Sequence, residues 1–92
     1  MSNNKKVIEI VELIQKASID IDLHRSNPCT ITEELDIFPY LIEFTVCIYE
    51  ERIKVDIKEV CDWHIEKILE LTNEEYIVLI DKLVWMIEDR NR

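Results

Sequence analysis

Cys61-x-x-His64 sets two potential metal ligands, a thiol and an imidazole, three residues apart. On a helix, that spacing would set a thiolate and an imidazole on one face. His24 and Cys29 would complete a Cys₂His₂ zinc set, but the four residues do not follow a zinc-finger spacing. The competing reading is packing. Cys61 lies among Ile57, Val60, Ile65 and Ile68, where a cysteine behaves as a small apolar residue. Packing is the better account, so neither a metal nor another cofactor is expected. Nucleophilic catalysis needs Ser or Cys beside a base and an orienting group, and here the candidates are scattered. The carboxylate pairs Glu33-Glu34, Glu50-Glu51 and Glu74-Glu75 suggest acid/base work. They are equally the acids that favour helix N-termini. The expectation is a protein without enzymatic activity.

Composition narrows the classes further. The chain has 92 residues, enough for one domain spanning 1–92. It has no glycine, which excludes Gly-rich phosphate and dinucleotide loops. Twenty acidic residues against eleven basic ones give a net charge of −9. That argues against direct nucleic-acid binding, which uses basic residues to displace phosphate counterions. It suits an encounter with a basic partner, or simply solubility. Three cysteines show no disulfide framework and fit reduced thiols in a cytoplasm. Glu9 and Glu12 interrupt any signal-peptide apolar run, and no membrane span is expected.

These residues need elements to position them. Val7, Ile10, Val11, Ile14 and Ala17 recur at helical spacing, so 4–17 reads as a helix, extended to about Leu23. Residues 25–30 read as a turn at Asn27-Pro28. A short helix is expected over 32–37. Another is expected over 38–51, where Leu41, Phe44, Thr45, Ile48 and Arg52 share a helical face. The same segment alternates and is rich in β-branched residues, so strands are the alternative. A hairpin would have to turn at Glu50-Glu51 without Gly, Asn or Asp. Asp56-x-x-Glu59 and Thr72-x-x-Glu75 both read as capping boxes, opening helices at 57–70 and 73–90. The expected fold is an all-α bundle of four to six helices. The alternative is α+β with a short hairpin at about 43–57.

Two helices carry more apolar surface than a core requires. On 73–90, Tyr76, Ile80, Leu83 and Ile87 make one stripe, flanked by Ile77 and Val84, while Val78 and Trp85 adjoin a polar strip. Trp63 lies near charged residues of its segment, and Ile8 and Ile19 widen the first apolar face. Such surplus marks either central burial or an interface.

Three segments resemble a known family: QKASIDIDLHR (15–25), LIEF (41–44) and KILELTNEEYIVLIDKL (67–83). Ala17-Ser18-Ile19-x-Ile21 and Leu71-Thr72-x-Glu74 with Leu79-Ile80-Asp81 carry it most strongly. They are similar to the AsiA family, small acidic anti-sigma factors of T-even-like phages. The resemblance implies an all-helical fold in the cytoplasm of a bacterial host. It implies binding to the C-terminal domain of the primary sigma factor, which blocks recognition of the −35 element and inhibits host transcription. Co-activation of phage promoters and a homodimer in the absence of sigma also follow from it. Carried over by position, the partner-binding face would comprise Ile10, Ile14, Ala17, Ile19, Ile21, Leu23, Ile42 and Phe44. Lys16 and Asp20 stand where the family would have apolar residues. The alternative function is an acidic immunity or antitoxin protein that neutralises a basic nuclease. It would act through clustered carboxylates, and its affinity would fall with salt.

Overall fold

The computed structural model describes residues 4–21, 29–50 and 52–91. Helix α1 (Asn4–Lys16) comes first. Strands β1 (Cys29–Ile37), β2 (Tyr40–Tyr49) and β3 (Arg52–Asp62) follow, then a two-residue strand β4 (Lys67–Ile68). Helix α2 (Asn73–Asn91) completes the described chain. The strands form one antiparallel sheet in the order β1-β2-β3-β4. The fold is therefore α+β. The expected all-α bundle of four to six helices is overturned, and with it the all-helical fold implied by the AsiA resemblance.

The strands form because their apolar residues alternate. In β2, Tyr40, Ile42, Phe44, Val46 and Ile48 are buried, and the residues between them are half-buried. This is the period of a sheet with one face covered. In β1, Leu35 and Ile37 turn to the same covered face and Glu34 and Asp36 turn to water. The expected helix at 32–37 is thus the end of β1, and the expected helix at 38–51 is β2. Pro39 lies in the Phe38-Pro39 turn between them, where its missing N–H costs no ladder bond.

The expected helix at 57–70 also fails, for a specific reason. Phe44 pairs with Ile57 but Glu43 pairs with Glu59, so Lys58 has no counterpart in β2. This bulge changes the step between sheet residues on the covered face from two to three. Val55, Ile57, Val60 and Asp62 then share a face in a 2-3-2 pattern that resembles a helical stripe. Asp56 and Glu59 are strand residues and cap nothing. Thr72 and Glu75, by contrast, form the capping box their spacing predicts. The Thr72 N–H donates to Glu75 Oε1 at 2.9 Å, and the Glu75 N–H donates to Thr72 Oγ1 at 3.2 Å.

Both helices cover the same sheet face. Val7, Ile10 and Ile14 of α1 and Leu79, Leu83, Met86 and Ile87 of α2 join one cluster with Ile42, Phe44, Val46 and Val60. Residues 17–21 are not helical, so the extension of the first helix stops at Lys16, and Leu23 lies outside the described residues. Arg90 Nη2 donates to the Gln15 carbonyl at 3.0 Å, which links the two helices and places a cation at the C-terminus of α1.

One end of the covered face is polar. Tyr40 and Asp62 pair across β2 and β3 and both point toward α1. Lys6 Nζ lies 2.9 Å from Asp62 Oδ2, and the His64 N–H donates to Asp62 Oδ1 at 3.0 Å. The Tyr40 hydroxyl donates to Glu9 Oε2 at 2.6 Å. Burial and the Glu9 carboxylate hold the Tyr40 phenol protonated well above its usual range. Burial alone would raise the Asp62 carboxyl. Its hydrogen bonds from Lys6 and His64, with their charges, outweigh that and hold it below the usual carboxylate range.

Replacing Lys6 by Met leaves Asp62 buried without its cation and should cost about 2 kcal/mol, reduced from a fully buried pair because water reaches Lys6. The Asp62 contribution is present above the unfolded carboxylate pKa and is lost as pH falls through its depressed folded value. Thermal melts of the native chain and Asp62→Asn, taken against pH, should therefore converge only on the acid side of pH ~4. Glu50 turns the β2–β3 hairpin with φ of 50°, a left-handed conformation costly for a residue with a Cβ. Glu50→Gly should raise the melting temperature by a stabilisation of about 0.5–1 kcal/mol, and a lowered melting temperature would count against that geometry.

Candidate functional site

The residues expected to bind a partner are placed mainly in the core. Ile10, Ile14, Ile42 and Phe44 are 0% exposed and Ile21 is 5% exposed. Ala17 and Ile19 pack against the same cluster. Leu23 lies outside the described residues. The reason is direct: the apolar stripe of α1 and the alternating residues of β2 bury one another. On the folded chain they hold α1 to the sheet.

The metal candidates are not brought together. Cys29 opposes Ile48 and Cys61 opposes Leu41, so the two lie toward opposite ends of β2. Cys29 shares the covered side with Ile48, whereas Cys61 lies on the open side with Leu41. His64 belongs to the turn after β3, and its ring sits 5.5 Å from that of Phe38. His24 is outside the described residues. Among the described residues no group of three or more His, Cys, Asp or Glu is arranged to hold a metal ion. The Cys61 thiol donates to Glu59 Oε2 at 3.2 Å. That hydrogen bond, then burial, raises its pKa, so the thiol is a poor nucleophile as it stands.

The carboxylate pairs separate as well. Glu33 and Glu34 point to opposite faces of β1, Glu50 turns a hairpin, and Glu74 and Glu75 begin α2. Glu51 lies outside the described residues. The register instead creates a carboxylate group that spacing alone does not show. Glu34 opposes Glu43, and Glu43 opposes Glu59, so three glutamates form one row across the open face of the sheet. Lys58 Nζ approaches Glu43 Oε1 at 3.9 Å, a long and exposed ion pair that offsets little. Like charges directly opposite in a sheet are destabilising. The row lowers local stability, which makes it a candidate for contact with positive charge.

Exposed apolar side chains fall in separate places. Phe38, Trp63 and Ile65 lie at the two turns at one end of the sheet, where the Trp63 N–H donates to the Pro39 carbonyl at 2.8 Å. Trp85 lies on α2 with Lys82 Nζ 4.4 Å from its ring centre. A third group lines an open groove between the helices. Val7, Ile8, Val11, Glu12 and Gln15 of α1 face Glu74, Glu75 and Val78 of α2 across a volume of about 550 Å³. The surplus apolar surface of α2 thus divides: Leu79, Leu83, Met86 and Ile87 are buried, while Ile77, Val78 and Trp85 are exposed.

Replacing Glu43, the middle carboxylate of the row, by Gln should relieve repulsion on both sides. The expected gain is about 0.5 kcal/mol, a rise of roughly 2–4 °C in melting temperature. A fall would mean that the Lys58 pair outweighs the two like-charge contacts. Compared with known proteins, the chain matches no family model, no curated protein and no solved structure.

Proposed function

We propose that this chain is a non-enzymatic binding protein that holds a basic protein partner in a reducing cytoplasm. The observation that carries the reading is the Glu34–Glu43–Glu59 row on an open sheet face, in a chain of net charge −9. A basic side chain laid along the row would remove the like-charge repulsion that the free protein bears, so binding and relief of repulsion coincide. Free Cys29, Cys47 and Cys61 support a reducing compartment. Acidic charge on this scale disfavours nucleic acid as a direct ligand. Among the described residues no helix is long and apolar enough to cross a membrane.

Neutralisation of a basic nuclease is the form of the reading that the open acidic face favours. The C-terminal domain of a bacterial primary sigma factor, a DNA-binding domain, is the other candidate, from the AsiA resemblance. It would have to be held by surfaces other than the stripe of α1, since Ile10 and Ile14 are core residues. A homodimer through that stripe would likewise require the core to open.

The test is size exclusion with light scattering on the chain mixed with a basic bacterial nuclease and, separately, with the isolated sigma domain. A complex that weakens steeply as salt rises, and weakens further in Glu43→Lys, is expected. A complex indifferent to both salt and Glu43→Lys, or no complex with either partner, would contradict the reading.

A further inference from the structure

Resting on the reading of the chain as an acidic binder, we propose that the groove between α1 and α2 receives one basic amphipathic helical segment of the partner. The floor of the groove is apolar. Val7 is buried, Val11 is half-buried, and Ile8 and Val78 remain 56% and 47% exposed. Its walls carry Glu12 from one helix and Glu74 and Glu75 from the other, with no Lys or Arg among the lining residues. Glu75 uses Oε1 to cap α2, while Oε2 is shielded from solvent and has no hydrogen-bond donor. An apolar trough edged by carboxylates complements a segment that presents apolar side chains in a row with Lys or Arg beside them.

The same charges choose among occupants. A second copy of this chain laid groove to groove would bring these carboxylates against their counterparts, so self-association is disfavoured. The run from Ile8 to Gln15 extends about 10 Å along α1 at the helical rise, which matches roughly two turns of a docked helix. An apolar pair spaced i, i+3 or i, i+4 would reach Ile8 and Val11 on one side and Val78 on the other, as in other helix-in-groove contacts. The groove and the carboxylate row lie on different faces. A partner segment in the groove is therefore separable by mutation from contacts at the sheet.

The test uses the full chain and a fluorescently labelled amphipathic Leu/Lys peptide, with a Leu/Glu peptide of the same pattern as control, followed by fluorescence anisotropy. Val78→Asp and Glu12→Lys alter the groove, and Glu43→Lys alters the sheet face. Melting curves establish that each variant is folded. Expected is binding of the Leu/Lys peptide alone, weakened about tenfold or more by either groove change and little by Glu43→Lys. Peptide binding that ignores the groove changes but is lost in Glu43→Lys would overturn the groove while leaving the acidic-binder reading intact. Failure to prefer the Leu/Lys peptide over the Leu/Glu peptide would overturn both. A homodimer that Val78→Asp dissociates would assign the groove to a second copy and overturn the proposal.

Discussion

Everything in this molecule depends on one constraint: a three-strand meander with one apolar face must have that face covered. Ile42, Phe44, Val46 and Ile48 of the central strand, all fully buried, would otherwise lie open to water. Each such side chain contributes roughly 1.5–3 kcal/mol when buried. The covering is provided by α1 and α2, which is why their apolar stripes are consumed by the core. The polar end of the same face sets where α1 sits. Lys6 and Glu9, three apart on the helix, reach Asp62 and Tyr40, which pair across the strands. Those links give direction to a contact that apolar packing alone would leave free to slide.

The covering decides what remains for function. One sheet face and the outer sides of two helices are left to meet other molecules. Both carry carboxylates: the Glu34–Glu43–Glu59 row on the sheet, and Glu12, Glu74 and Glu75 around the helix groove. On the open sheet face the Cys61 thiol donates to Glu59 Oε2 at 3.2 Å, a hydrogen bond that raises the thiol's pKa. β1 also lies at a sheet edge, and its inward Glu33 sits between Ile31 and Leu35. An inward charge at an edge discourages pairing with another strand.

Parts of this were legible in the sequence and parts were not. The i, i+3, i+4 pattern from Val7 to Ile14 located α1, and Thr72-x-x-Glu75 located the start of α2. The strand segments imitate helices in sequence for three physical reasons. Phe44 and Ile48 satisfy both periods. The hairpin turn uses Glu50 at positive φ where a glycine or asparagine is the usual signal. The bulge at Lys58 inserts a three-residue step that imitates a helix stripe. Ile42 and Phe44, expected on the partner face, alternate inward on a strand and are buried in the folded chain. The carboxylate row could not be found from spacing at all. Glu34, Glu43 and Glu59 are brought side by side by strand register, which the sequence specifies only through the whole pairing.

Nuclear Overhauser contacts across residues 29–62 distinguish the sheet from a helical segment. The sheet register requires backbone contacts linking Thr32 with Thr45 and Thr45 with Asp56, partners across the three long strands. Contacts between residues three and four apart through 40–49, with no cross-strand contacts, would mean a helix there. That result would contradict the sheet, the carboxylate row built on its register, and the division of the surface that follows from them.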